Sequence, residues 1–256
     1  MEYVSWEIKA LDKELDGIRK YSLVLIHQED PLSRGVDLLY YILTEKLKQD
    51  NLIGYFNISY PLPLVLRALR RFNIDPIEAL KSLRLAIIDT FGSFYGVKSN
   101  LPSVWVLEGM LSSETLPAKY ARVIEEHKSV WAKEGLFEGR DIYGFAVAIS
   151  SYMELFNSSE ETLRYLELSS EIMSIHPAYK KYPRGTNFWL WLGKGHKEVF
   201  ASVYRRADYV LRTRSYFTDD GIKRELIILK TPEFEDEVIK FEYEFEEGEI
   251  KFTRIY

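Results

Sequence analysis

Cysteine is missing from this chain of 256 residues, which excludes a disulfide framework and any thiolate metal site. Histidine is scarce as well: His27, His127, His176 and His196 lie far apart, and no spacing among them suits a structural zinc site, so no metal is expected. No apolar run approaches the roughly 20 residues that span a bilayer, and the opening segment "MEYVSWEIKA" carries charge among its apolar residues. The expectation is a cytoplasmic protein with no membrane partner. A basic excess is also lacking. The net charge is −5, and the stretch from Pro232 to Tyr256 holds nine acidic and three basic residues, which leaves the preceding part near neutral. That balance argues against a dedicated nucleic-acid binder. Core material, by contrast, is plentiful: 46% of the residues are hydrophobic, enough for one large globular domain.

Short β-branched or aromatic runs alternate with segments of helical spacing, the pattern of an α/β protein with a mainly parallel sheet between helices. Strands are predicted at "SLVLIH" (Ser22 to His27), "LIGYFNIS" (Leu52 to Ser59), "LRLAIIDT" (Leu83 to Thr90), "IYGFAVAISSY" (Ile142 to Tyr152) and "NFWLWLG" (Asn187 to Gly193). Helices are predicted over Pro31 to Gln49, Pro61 to Phe72, Lys119 to Gly135 and Ser158 to Met173, the last opening with a capping box. The strands are apolar on both faces, as burial between two helix layers requires. After Ala207 the pattern changes to "DYVLRTRSYF", "IKRELIILK", "EVIKFEYEF" and "IKFTRIY", joined by the turns "TDDG" and "EEGE". These read as antiparallel hairpins extending one edge of the sheet. The predicted organisation is a core with an N-terminal helix over residues 1–216 and a hairpin extension of the same domain over 217–256.

The order and spacing of several stretches resemble the RecA-like P-loop ATPases, in particular their KaiC-like archaeal and bacterial branch. The resemblance runs from "ALDKELDGI" through "SLVLIH", "YFNIS", "LRLAIID", "FAVAIS" and "EETLRYLELSSEIM" to "FWLWL" and "RRADYVLRTRS", covering roughly residues 8 to 216. It implies a three-layer α/β/α RecA-type core of a kind that works in rings or filaments, with nucleotide held between subunits.

The catalytic positions depart from that family. A phosphate loop of the form G-x-x-x-x-G-K-[ST] uses small glycines to aim backbone amides inward, a lysine for the outer phosphates and a hydroxyl for Mg²⁺. Aligning "LVLI" puts Gln28 at the first glycine, Ser33 at the second, Arg34 at the lysine and Gly35 at the hydroxyl. Only the positive charge is kept. The residues themselves give a second argument: in "EDP", Asp30 reads as an N-cap and Pro31 as the first helical residue, so Asp30 would accept from the Leu32 and Ser33 amides. With Glu29 beside it, an arriving anion meets two carboxylates, and a like-charge contact at ~4 Å opposes binding by about 4 kcal/mol at an effective dielectric near 20. Where the family carries its catalytic glutamate this chain has Ser59-Tyr60-Pro61, and where it carries its Mg²⁺-associated aspartate "FAVAIS" offers Ser150. Asp89, ending "LRLAIID", is a strand-end acid that resembles a structural cap.

The function expected is that of a non-catalytic RecA/KaiC-like binding or assembly module, a pseudo-ATPase without a cofactor, whose ligand is a peptide or protein. A homo-oligomer fits the same resemblance. An alternative is an atypical NTPase or nucleotide sensor that uses Arg34, and under that reading alone ATP and Mg²⁺ bind. A third reading is single-strand nucleic-acid binding by post-strand loops such as "GKGHKE", with "KKYPRG" a second small basic loop. The aromatic segment from Phe91 to Met110 is a candidate ligand surface, with Phe94, Tyr95 and Trp105 as its prominent residues.

Overall fold

The computed structural model describes residues 2–219, 221–233, 238–246 and 249–255. The expected turns "TDDG" and "EEGE" include Asp220, Glu247 and Gly248, the expected strand "EVIKFEYEF" starts at Glu237, and "IKFTRIY" ends at Tyr256. Those residues lie outside the described ones.

Near the N-terminus a two-residue antiparallel ladder, β1 (Tyr3–Val4) with β2 (Ile18–Arg19), brackets helix α1 (Lys9–Leu15). Then β3 (Leu23–Gln28) leads through a 3₁₀ turn, Pro31–Ser33, into α2 (Gly35–Lys48). The chain continues with β4 (Leu52–Asn57), α3 (Leu62–Arg71), α4 (Pro76–Lys81), β5 (Leu85–Asp89), α5 (Thr90–Phe94), β6 (Val104–Trp105) and α6 (Leu116–Lys133). Next come β7 (Ile142–Val147), α7 (Tyr152–Phe156), α8 (Ser159–Ile175), β8 (Thr186–Leu192) and α9 (Lys197–Arg206). Four strands finish it: β9 (Tyr209–Thr218), β10 (Gly221–Lys230), β11 (Ile239–Glu246) and β12 (Glu249–Arg254).

One sheet of ten strands runs in the order β12-β11-β10-β9-β3-β8-β7-β4-β5-β6. From β9 to β6 the neighbours are parallel, while β10, β11 and β12 add an antiparallel edge. Strand alternation sorts side chains into the two helix layers. In β3, Val24 and Ile26 enter the core under α2 and α3, whereas Leu25 enters the core under α6, α8 and α9; in β7, Phe145 and Ala146 divide the same way. The result is the expected three-layer α/β/α architecture with C-terminal hairpin strands on one edge.

Several boundaries differ from the expectations, each for a local reason. The strand foreseen over Ile142 to Tyr152 stops at Val147, and residues 149–156 turn into a 3₁₀ turn and α7. Thr90 opens α5 instead of ending a strand, because Asp89 caps that helix through the Gly92 amide at 3.0 Å. The helix foreseen from Pro31 is broken at Arg34, whose left-handed backbone (φ 56°, ψ 34°) separates the 3₁₀ turn from α2. The segment Val104–Trp105, where no strand is predicted, adds a short parallel strand beside β5.

Candidate functional site

The strand-turn-helix from β3 to α2 stands where the family resemblance implies a phosphate loop, and its polar groups are bonded to one another. Gln28 turns its side-chain carbonyl, Oε1, onto the Val36 amide at 2.8 Å. The first turn of α2 thereby receives an acceptor from its own chain. Asp30 caps the 3₁₀ turn, with Oδ1 accepting from the Ser33 amide at 3.0 Å. The second backbone donor comes from β9, not from Leu32: Oδ2 accepts from the Ser215 amide at 2.8 Å, and Oδ1 also takes the Ser215 hydroxyl at 2.5 Å.

The sheet register places these partners. Gln28 pairs with Thr213 across the parallel β3–β9 ladder, so Thr213 and Ser215 stand beside the turn. The Ser33 hydroxyl donates to the Asp30 carbonyl at 2.7 Å and lies 3.0 Å from Thr213 Oγ1. Gly35 passes so close that a Cβ there would sit 2.6 Å from Thr213 Oγ1 and 3.0 Å from Gln28 Cβ. Glycine at this position therefore answers a packing need.

Arg34 is engaged by its own helix and by β11. Its Nε donates to Asp37 Oδ2 at 2.6 Å, and its guanidinium lies 4.0 Å from the centre of the Phe245 ring. The charge that the alternative reading assigns to a phosphate is thus held by a carboxylate and an aromatic face of β11. The C-terminal strands also clasp the turn's backbone: Arg224 Nε donates to the Leu32 carbonyl at 2.8 Å, and the Tyr243 hydroxyl donates to the Ser33 carbonyl. Glu29 faces Lys194 at 3.5 Å and Arg212 at 3.8 Å, so the basic loop after β8 leans on an acid of the turn.

The other predicted positions do not converge with these. Asp89 is buried, capping α5 and accepting from Asn57 Nδ2 at 2.7 Å, and burial pushes its carboxyl up from the usual range. Ser150 lies in the 3₁₀ turn after β7, where its hydroxyl accepts from the Leu192 amide at 3.1 Å. Ser59 serves the same strand ends, accepting from the Ala148 amide at 2.5 Å. In the aromatic segment, Phe94 and Trp105 are half-buried against the core of the α6 layer, while Tyr95 is exposed and tilts onto Phe91 at 4.6 Å. Among the described residues no three His, Asp or Glu side chains gather to a metal-sized cluster, and no helix is long and apolar enough to cross a membrane.

A second concavity was not foreseen. It lies between the sheet and the α6–α8 layer, with a volume of about 890 Å³; among its exposed lining residues, Tyr21 and Arg184 sit just before β3 and β8, Met173 lies near the end of α8 and Lys180 follows it. Gly54, Gly144 and Ala146 line the sheet side; a Cβ on Gly54 would meet only the Tyr143 carbonyl, at 4.0 Å, whereas the space beside Gly144 is taken by Asn187, whose Oδ1 would lie 2.3 Å from a Cβ there. On the helix side a chain of hydroxyls runs from Thr90 to Tyr120 and on to Tyr152, both links 2.6 Å, and Tyr165 joins at 3.2 Å. Next to them α6 contributes His127 and Lys128, both buried. A sequence signal existed: Tyr120, Ile124, His127, Lys128 and Trp131 share the buried face of α6, so two ionisable residues interrupt an apolar stripe.

No family model and no curated protein matches the chain. Among solved structures, the uncharacterized protein PH0321 from Pyrococcus horikoshii, determined in complex with an unknown peptide, is 60% identical, with 98% of this chain and 99% of that one covered and a TM-score of 0.93. The KaiC-like protein PH0186 from the hyperthermophilic archaeon Pyrococcus horikoshii OT3 is 12% identical over 98% of this chain and 99% of its own, with a TM-score of 0.72. That second likeness is one of fold. The chain belongs to the family of Pyrococcus horikoshii PH0321 and has the RecA-like fold of KaiC-like proteins.

Proposed function

We propose that this protein is a RecA-like module without ATPase chemistry, and that it acts by binding peptide. The observation that carries the reading is the Gln28–Val36 bond with its neighbour at Asp30. Phosphate binding at a helix start needs backbone amides free to point at the anion. Here side-chain oxygens of the same turn already accept from the Val36 and Ser33 amides. Gly35, at the hydroxyl position, has no side chain to hold Mg²⁺, and Arg34 is engaged by Asp37. Ser59 and Ser150, both occupied by backbone amides, bring no carboxylate to activate water. Peptide as the ligand class draws support from the relative PH0321, solved in complex with an unknown peptide.

Two calorimetric titrations test the reading. Mg-ATP should give no binding at micromolar concentrations, and peptides selected from a random displayed library should bind the purified chain saturably. Sub-micromolar Mg-ATP binding, or a library that yields no binder, overturns it.

A further inference from the structure

The cavity beneath the sheet holds an imbalance of charge. Among the described residues four cationic side chains line it, Lys128, Lys180, Arg184 and Arg206, against one carboxylate, Asp208, whose Oδ2 already accepts from the Leu23 amide at 2.8 Å. Lys128 is 8% exposed, and among the described residues no carboxylate lies within 4 Å of it; its ammonium donates to the Pro183 carbonyl at 2.9 Å. A buried ammonium without a counter-charge is costly, because desolvation is not offset by pairing. Burial and the nearby Arg184 push Lys128 down to about 8, which leaves it mostly charged at neutral pH. Beside it His127, 4% exposed, has an Nδ1 without a hydrogen-bond partner among the described residues. The remaining wall is largely aromatic and aliphatic, and Met173 and Tyr21 carry that character out to the rim.

We propose that this cavity receives the C-terminal residue of a peptide, with its apolar side chain under Gly54 and its terminal carboxylate at Lys128. The proposal rests on the peptide reading above and adds the place and the chemistry. An apolar wall selects an apolar side chain, and a carboxylate borne directly on such a residue is a chain terminus or a free amino-acid-like acid. The volume of about 890 Å³ is in the range of ligand sites and is ample for one or two such residues. The loop from Lys180 to Gly185 supplies positive charge at the mouth, so an anion is drawn in before Lys128 takes it.

Calorimetry with three probes tests this: the tripeptide Ala-Ala-Phe, its C-terminal amide, and N-acetylphenylalanine. Ala-Ala-Phe should bind at least tenfold more tightly than its amide, and Lys128→Met should weaken it at least tenfold. Gly54→Val, which fills the cavity from the sheet side, should abolish binding, and the exposed Arg184→Ala should weaken it severalfold without touching the core. N-acetylphenylalanine binding with the same Lys128 dependence, while no peptide binds, upholds the carboxylate site and identifies a small acid as its source, removing the peptide reading. Library-selected peptides that bind wild type and Gly54→Val equally leave the peptide reading intact and overturn the cavity. Equal binding of acid and amide, indifference to Lys128→Met, or no binding of any probe also overturns it.

Discussion

The side-chain oxygen of Gln28 and the backbone amide of Val36 are joined at 2.8 Å across the turn between β3 and α2. A residue from the strand end thus does what a bound anion does at an open helix start. Gln28→Leu keeps the bulk and removes the acceptor, leaving the Val36 amide unpaired near a buried residue. The expected loss is about 1–3 kcal/mol, read from the urea midpoint at unchanged m-value.

Asp30 accepts three hydrogen bonds, two of them from Ser215. Asp30→Ala should therefore cost about 2–3 kcal/mol, at the upper end for bonds to a charged acceptor. Ser215→Ala removes one of the three and should cost about 1 kcal/mol, and in the double variant the Ser215 part should vanish.

Gly35→Ala forces a methyl toward Thr213 Oγ1, 2.6 Å from where its carbon would sit. Thr213 is buried, so neither side yields freely. Gly35→Ala should destabilise by about 2 kcal/mol or more despite alanine's better helix propensity, and Thr213→Ala should recover part of that loss. Additive single effects in the thermal unfolding cycle would contradict the contact.

Burial, with Lys128 adding like charge, pushes His127 down to about 3 from its ordinary 6.5. Between those values the unfolded chain takes up a proton that the folded chain refuses, so stability falls as pH falls through that window. This residue contributes up to about 1.4 kcal/mol per pH unit. Lys128, held at about 8 against 10.5, works in the same sense at higher pH, with stability rising from about 8 to 10.5. Urea unfolding at pH 4.5 and 7 should show a steeper dependence in wild type than in His127→Phe, and unfolding at pH 8 and 10 a steeper one than in Lys128→Met.

The central strands and their place between two helix layers were legible because each carries apolar residues on both faces, and β3, β7 and β8 divide them between two cores as that pattern requires. The replacement of phosphate-loop residues could also be read, since Gln28, Asp30 and Gly35 are chemically unlike what a nucleotide needs. Their partners could not. Thr213 and Ser215 reach the turn only through the register of a parallel ladder, and Phe245 reaches Arg34 only because β11 joins the sheet two strands beyond β9. The cavity could not be read for another reason: on the sheet side it depends on what Gly54 omits, and its mark in the sequence is a histidine and a lysine on the buried face of α6.

Arg224 and Tyr243 reach back to the carbonyls of Leu32 and Ser33 across 192 and 210 positions. A ribosome makes these two residues about two hundred positions after the turn. The growing chain can form the Gln28–Val36 and Asp30–Ser33 bonds at once, since their loops are short, but the bonds from Ser215, Arg224 and Tyr243 must wait until those later strands are made. For that interval the helix start is shaped by its own sequence, without the anchors from β9, β10 and β11, so its rigidity is completed only when those strands join the sheet.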